Sequence, residues 1–453
     1  MLKKPMSQRA RTLRFVAEFA EQDGWPRERL LALQRHRLQR TIAHALLHSP
    51  YYRDLATKLG GSPRRLQDFP VLTKSALMAE FDRILADPQL NRALVEDHLN
   101  RHGSTVELFR KYHVFPTGGS SGIRGTIVYD RVTRLLGIAT TLRWLQRMGV
   151  GEGTRVIGIG AATSIHVSNH VFHELRKNRP DAPALDVTMP MAALVEGLNR
   201  YRPEVLISYP SILRELALEQ LAGRLSIAPR RCSSVSEMLA PEVRRLAFDA
   251  WGARVIDSYA TTETGIIATD CEESDGLHLM EELMIVENVD EEYRPVRLGT
   301  VGERILVTTL FNPVLPLIRY EITDRVALAA EPCRCGRPHW RLASIQGRRE
   351  EMLDLPAKDG GTTRVAPVHF RDALLLDPGV RQYQIETRTQ GLHLRIVLSP
   401  DAGDPAGTMD RLRRVVEVEL AKVGARPVVT IEPVDRIERI AGSGKAPLVM
   451  RPR

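Results

Sequence analysis

Residues 117–125 read Thr-Gly-Gly-Ser-Ser-Gly-Ile-Arg-Gly, with strand-like Phe-Arg-Lys-Tyr-His-Val-Phe at 109–115 before them and Thr-Ile-Val-Tyr-Asp at 126–130 after. Three glycines and three hydroxyls fill its first six residues. Such a loop can turn successive backbone N–H groups inward as a nest for phosphate, with hydroxyls as further donors. The candidate phosphate ligands are Thr117, Gly119, Ser120, Ser121, Gly122 and Arg124. No Gly-Lys-Ser/Thr closes the loop, so it is not a Walker A loop. On its own it also fits a Gly/Ser hairpin turn.

Outward from the loop, short apolar runs at 155–161, 205–209 and 254–260 alternate with helical stretches such as 211–223 and 241–251. That alternation predicts an α/β architecture with a mixed or parallel sheet. Residues 283–310 are richer in strand. Before the loop, Leu31, Leu38, Ile42 and Ala45 predict one face of a helix over 27–48, stopped at Pro50, and another helix opens near Thr73. After a break at Gly347, a hairpin (382–387 and 392–398), a helix capped by Thr408 and a strand at 428–434 predict a small α+β unit. In that helix Leu412, Val415, Val416, Leu420 and Val423 share a face, with Gly424 just past its end. The expected domains are 1–347 and 348–453.

A chain of 453 residues is too long for one ordinary core. With 43% hydrophobic and 26% charged residues it reads as globular and ordered. No stretch reaches the roughly 18 apolar residues of a membrane helix, and the basic N-terminus lacks a secretory pattern. The net charge of +9 is dispersed, and aromatic residues are only 5%. That argues against nucleic acid and suits a polyanionic small molecule. Four cysteines fit a reducing, cytoplasmic setting. Cys271, His278, Cys333 and Cys335 form two pairs whose donors suit a tetrahedral structural zinc ion; the alternative is reduced, buried thiols. Cys232 stands apart and reads as core.

Taken together, the loop, Tyr259-Ala-Thr-Thr-Glu263, Pro316-Leu-Ile-Arg-Tyr320 with Asp324, Gly347-Arg-Arg349 and Gly444-Lys445 resemble the ordered motifs of the adenylate-forming superfamily. Ser49–Leu55, Phe69–Leu77, Ser236-Glu237 and Cys333-x-Cys-Gly-Arg337 are similar to segments of the phenylacetate-CoA ligase group. The resemblance spans about 28 to 448. It implies a large multi-sheet N-terminal domain and a small mobile α+β lid. The implied reaction uses ATP and Mg²⁺ to turn a carboxylic acid, expected to be aromatic, into an acyl adenylate. The acyl group then passes to coenzyme A, or alternatively to a carrier protein or an amine. A non-catalytic nucleotide binder is the rival from another class, and a homodimer is compatible.

The resemblance also implies roles. Tyr259, Ser258, Ser236 and Glu237 lie by the adenine; Thr262 sits near the phosphates; Glu263 holds magnesium, a hard cation that takes oxygen ligands. Asp324, an acceptor-only carboxylate, suits the ribose diol. Arg348 marks the hinge. Lys445 bridges acyl carboxylate and α-phosphate; its alternative is a solvated tail lysine. The acyl pocket would draw on His166, His170, Tyr209 and Ala260, although His166 and His170 fit a helix surface equally well. Gly118, Arg124, Gly125 and Ala260 depart from the usual motif residues without removing an essential group.

Overall fold

The computed structural model describes residues 6–450 except 64, 118–124, 162–171, 173–175, 177–178, 272, 274–275, 349–350, 368, 371–373, 375–376, 378, 389–390, 400–401 and 440–446. The chain falls into two compact units. One comprises 1–157, 163–180 and 256–345; the other comprises 158–162, 181–255 and 346–453.

The first unit is a mixed α/β assembly. Helices Gln8–Gln22, Arg27–His48, Pro50–Lys58 and Arg92–His102 lead into the antiparallel hairpin Tyr112–Pro116/Thr126–Asp130. The helix Arg131–Arg147 follows, with Asp130 capping its N-terminus by accepting from Thr133 N. Strand Arg304–Thr309 pairs antiparallel with Met284–Val289 on one side and Tyr320–Ile322 on the other. A further run of neighbours is Asp324–Leu328, Arg341–Arg348, Leu277–Leu279, Gly265–Asp270 and Arg254–Thr261. One apolar core unites these elements, with Phe19, Tyr52, Phe69, Phe81, Tyr112, Phe115, Ile267 and Leu317 all fully buried.

In the second unit Val205–Ser208 and Arg231–Ser234 run parallel, flanked by helices Met191–Tyr201, Pro210–Leu221 and Pro241–Trp251. Val380–Arg388 and Gly391–Leu398 form an antiparallel hairpin, extended in parallel by Val428–Pro433 and Val449–Met450. The helix Pro405–Lys422 packs Leu412, Val416 and Leu420 onto that sheet around Phe370 and Leu374.

The expected α/β class is what the chain adopts, and the predicted helix over 27–48 spans Arg27–His48. Several local expectations need correction. Leu30, not Leu31, is the buried residue in that helix's first turn. Pro50 opens the next helix at its first position, where its missing N–H costs nothing. Asp404 precedes the helix Pro405–Lys422, so Thr408 lies inside it, and Val415 is exposed. The change from one compact unit to the other falls between 345 and 346, within strand Arg341–Arg348, in which Gly347 takes φ +99°.

Candidate active site

The ends of the glycine-rich loop are locked together. Pro116 faces Thr126 at the end of the hairpin ladder. Thr117 N donates to Gly125 O at 2.8 Å, and Gly125 N donates to Thr117 Oγ1 at 2.9 Å. A Cβ on Gly125 would come within 2.8 Å of Thr117 Oγ1 and 3.1 Å of Lys74 Cε. The glycine is thus required by close approach, and part of what approaches is a lysine. Gly119, Ser120, Ser121, Gly122 and Arg124 lie outside the described residues.

Lys74 reaches this place through two local devices. Leu72 N donates to Arg319 O and Glu321 N donates to Leu72 O, both at 3.0 Å, which straps 69–74 alongside 319–321. Thr73 then caps the helix Lys74–Ala79 by accepting from Ala76 N. Lys74 Nζ lies 3.9 Å from Glu263 Oε1, and the Tyr320 hydroxyl donates to the same oxygen at 3.2 Å. Both partners of the ion pair are mostly buried.

Glu263 sits in the turn between strands Arg254–Thr261 and Gly265–Asp270. Thr261 Oγ1 accepts from Thr264 N at 3.3 Å, Gly265 closes the turn at φ +67°, and Tyr129 OH donates to Thr262 O at 2.7 Å. The pairing of the two strands shifts register between Tyr259 and Ala260. Such an irregularity re-aims side chains. Tyr259 donates from its hydroxyl to Oδ2 of the buried Asp324. Ala260 is exposed and is not among the positive-φ residues, so its methyl group is accommodated. Ser258 is half-buried. Thus Thr117, Gly125, Lys74, Tyr320 and Glu263 surround one place, and Tyr259, on the strand that leads into the Glu263 turn, is joined to Asp324 at the start of strand Asp324–Leu328.

The remaining candidates lie in the other unit or outside the described residues. Ser236 adopts the left-handed region at φ +70°, a strained conformation for a residue with a Cβ. Glu237 Oε2 accepts from Ser211 N at 3.2 Å, which brings the Ser236-Glu237 turn to the start of the helix after Tyr209. Tyr209 itself is fully buried. Arg348 ends its strand, half-buried. Lys445, His166 and His170 lie outside the described residues.

The donor atoms of Cys271, His278, Cys333 and Cys335 all lie within 4.8 Å of one another. Cys271 Sγ and Cys333 Sγ are 3.6 Å apart, and Cys335 Sγ is 3.3 Å from His278 Nε2. Ligands about 2.3 Å from a tetrahedral ion stand roughly 3.8 Å apart, so the set fits zinc. His278 Nδ1 lies 2.9 Å from His339 O, which fixes the ring with Nε2 toward the thiols. Burial lowers the His278 pKa to about 4, which favours the neutral, ligating form, and raises that of Cys335 to about 11. Cys232 is fully buried.

A buried ionic network, with no signature in the sequence, adjoins this cluster. Arg143 bonds to both Glu282 and Asp23, while Arg147 donates to Asp23 at 2.8 and 2.9 Å and to Thr269 Oγ1 at 2.9 Å. His339 Nε2 lies 3.0 Å from Glu282 Oε2. Burial by itself would raise the Glu282 pKa, but Arg143 and His339 override it and hold the carboxyl far below the ordinary range. Arg143 and Arg147 lie more than a hundred residues from their partners in sequence, which is why no local pattern announces them.

No family model matches the chain. It is 26% identical over 401 residues to the phenylacetate-coenzyme A ligase of Thermus thermophilus, spanning 85% of this chain and 84% of that one. It is 23% identical over 395 residues to the phenylacetate-coenzyme A ligase of Aromatoleum evansii, spanning 83% of each. A crystal structure of 2-hydroxyisobutyryl-CoA ligase with 2-HIB-AMP, in the postadenylation state, superposes with a TM-score of 0.74 at 22% identity, covering 96% of this chain and 92% of that one.

Proposed function

We propose that the chain is an adenylate-forming enzyme of the phenylacetate-CoA ligase-like group, an AMP-forming acid–thiol ligase that makes an acyl-CoA, a reading supported by the relatives and the fold it shares. The observation that carries the reading is the convergence of Lys74, Tyr320 and Glu263 at the base of the glycine-rich loop, with Tyr259 and Asp324 joined beyond them. It pairs a cationic, donor-rich end for phosphates with a carboxylate for a ribose diol.

In the first step an oxygen of the substrate carboxylate attacks the α-phosphorus of ATP, the bond from that phosphorus to the α,β-bridging oxygen breaks, and pyrophosphate leaves. No general base is needed, because the acid is already ionised near neutral pH. Catalysis is alignment and charge neutralisation. Lys74 and the loop hold the β- and γ-phosphates, and Asp324, preset by Tyr259, holds the ribose. Glu263 fits a magnesium ion, a hard cation that would neutralise phosphate charge when bound. Lys445 stabilises the charge developing between carboxylate and α-phosphate. In the second step the thiolate of coenzyme A attacks the acyl carbon, the acyl–oxygen bond breaks, AMP leaves and the thiol proton passes to solvent.

Residues 348–453 act as the lid and 1–347 as the nucleotide- and acyl-binding part, with the turn near Arg348. Ser236, Glu237 and Ser258 belong to the adenine end. His166, His170, Tyr209 and Ala260 belong to the acyl pocket. The acid is aromatic, a reading supported by the two phenylacetate ligases among the relatives. Cys271, His278, Cys333 and Cys335 would hold a zinc ion, and a set of four protein ligands would make its part structural and not catalytic.

The test is ATP–pyrophosphate exchange with a panel of aryl and alkyl acids, coenzyme A omitted. Exchange that depends on one class of acid establishes the adenylate and its acid. No exchange with any acid, in protein that binds ATP, overturns the reading in favour of nucleotide binding without turnover.

A further inference from the structure

Strand Val380–Arg388 carries a register shift between Val380 and Gln382: Val380 faces Leu398 and Gln382 faces Val397, leaving Arg381 as the extra residue. A bulge of this kind frees one residue's backbone and side chain from the ladder. Here both turn to the helix Pro210–Leu221. Arg214, almost wholly buried, donates Nη2 to Val380 O and Nη1 to Arg381 O, each at 2.5 Å, and Nε to Glu242 Oε1 at 2.8 Å. In return Arg381 donates to Glu219 Oε1 at 3.0 Å and to Glu215 Oε2 at 3.4 Å. Glu219 also binds Arg224, and Arg439 Nη2 lies 3.5 Å from Ser211 Oγ.

We propose that the Arg381 bulge and the Arg214–Glu215–Glu219 helix face form an ionic clasp that holds the C-terminal 348–453 in one of two working poses and must open between the half-reactions. The inference rests on the two-step reading above. A buried ion pair tolerates little displacement, because moving one partner leaves the other charged and desolvated. The clasp is therefore either closed or fully hydrated, and it biases a two-position equilibrium. Arg381 and Glu219 are positioning residues, remote from the reacting atoms.

The test compares Arg381→Ala and Glu219→Gln with wild type in two assays: acid-dependent ATP–pyrophosphate exchange without coenzyme A, and transfer from preformed acyl adenylate to coenzyme A. Expected is a change in the ratio of the two rates of about tenfold, one rate rising or holding as the other falls. Equal losses in both assays, or no change in either, overturn the clasp. Arg413→Ala, which breaks only the exposed pair with Asp410, leaves the ratio unchanged. If wild type shows no exchange at all, the reaction itself has been misread. The clasp is then decided by amide hydrogen exchange alone: faster exchange in both 210–221 and 380–388 of Arg381→Ala supports it, and unaltered exchange overturns it.

Discussion

The phenol of Tyr259 donates a hydrogen bond to Oδ2 of Asp324, 65 residues away in sequence. The two side chains assigned to opposite parts of the nucleoside are therefore coupled before any nucleotide arrives. The bond fixes the carboxylate's rotamer and uses one lone pair on one oxygen, leaving acceptor capacity for a diol.

Asp324→Ala is expected to weaken ATP binding by about 10- to 100-fold, the size of one or two hydrogen bonds to a charged group. Tyr259→Phe removes only the presetting bond and should cost less than about tenfold. Calorimetric titration with ATP measures both; an unaltered affinity in Asp324→Ala would remove the ribose assignment.

Lys74→Ala should raise the KM for ATP by about tenfold, because a charge-assisted contact to phosphate is lost. The same variant frees Glu263 from its cation. If Lys74 were merely a partner for Glu263, Lys74→Ala would leave the ATP dependence of exchange where it was.

The sequence carried the candidate site unevenly, for physical reasons. Tyr259, Glu263 and Asp324 sit in contiguous motifs, so they could be read directly. Lys74 could not be assigned a task from its segment, since a lysine at the first position of a short helix is ordinarily solvated; only the pairing of Leu72 with Arg319 and Glu321 aims it. The four zinc-site candidates were legible as two spaced pairs. Arg143, Glu282, Asp23 and His339 were not, because a buried ionic network follows no period. Boundaries failed where one residue type plays two parts: Pro50 ends one helix and begins the next.

Lys445→Ala is expected to reduce acid-dependent pyrophosphate exchange by about 100-fold or more, the scale of losing one preorganised charge at a transition state. ATP affinity should stay close to wild type. Exchange at the wild-type rate would return Lys445 to the status of a tail residue.

Cys335→Ser should lower the bound zinc per chain and the thermal midpoint together, by about 5 °C or more. Chelation of the wild-type protein should reproduce the shift. Wild-type protein isolated with full stability and no metal would end the zinc assignment.

Acid stability follows from Glu282. Its folded pKa is depressed, so its contribution is complete above the ordinary carboxylate value of 4.5 and is lost as pH falls from there toward the folded value. Glu282→Ala leaves Arg143 buried beside Asp23 alone and should destabilise the fold by about 3–5 kcal/mol at pH 7. Urea denaturation at pH 7 and pH 3 measures both: the deficit relative to wild type should shrink at the lower pH. A deficit equal at both would refute the linkage.

The strap between 69–74 and 319–321 has a consequence for how the chain can be recombined. Lys74, the cation proposed for the nucleotide's phosphates, is delivered by residues near the beginning of the chain, held by residues some 250 positions later. The first eighty residues are therefore not an exchangeable appendage. A hybrid that joins this amino-terminal stretch to a relative's remainder inherits a working phosphate end only if the segment corresponding to Arg319–Glu321 comes from the same parent.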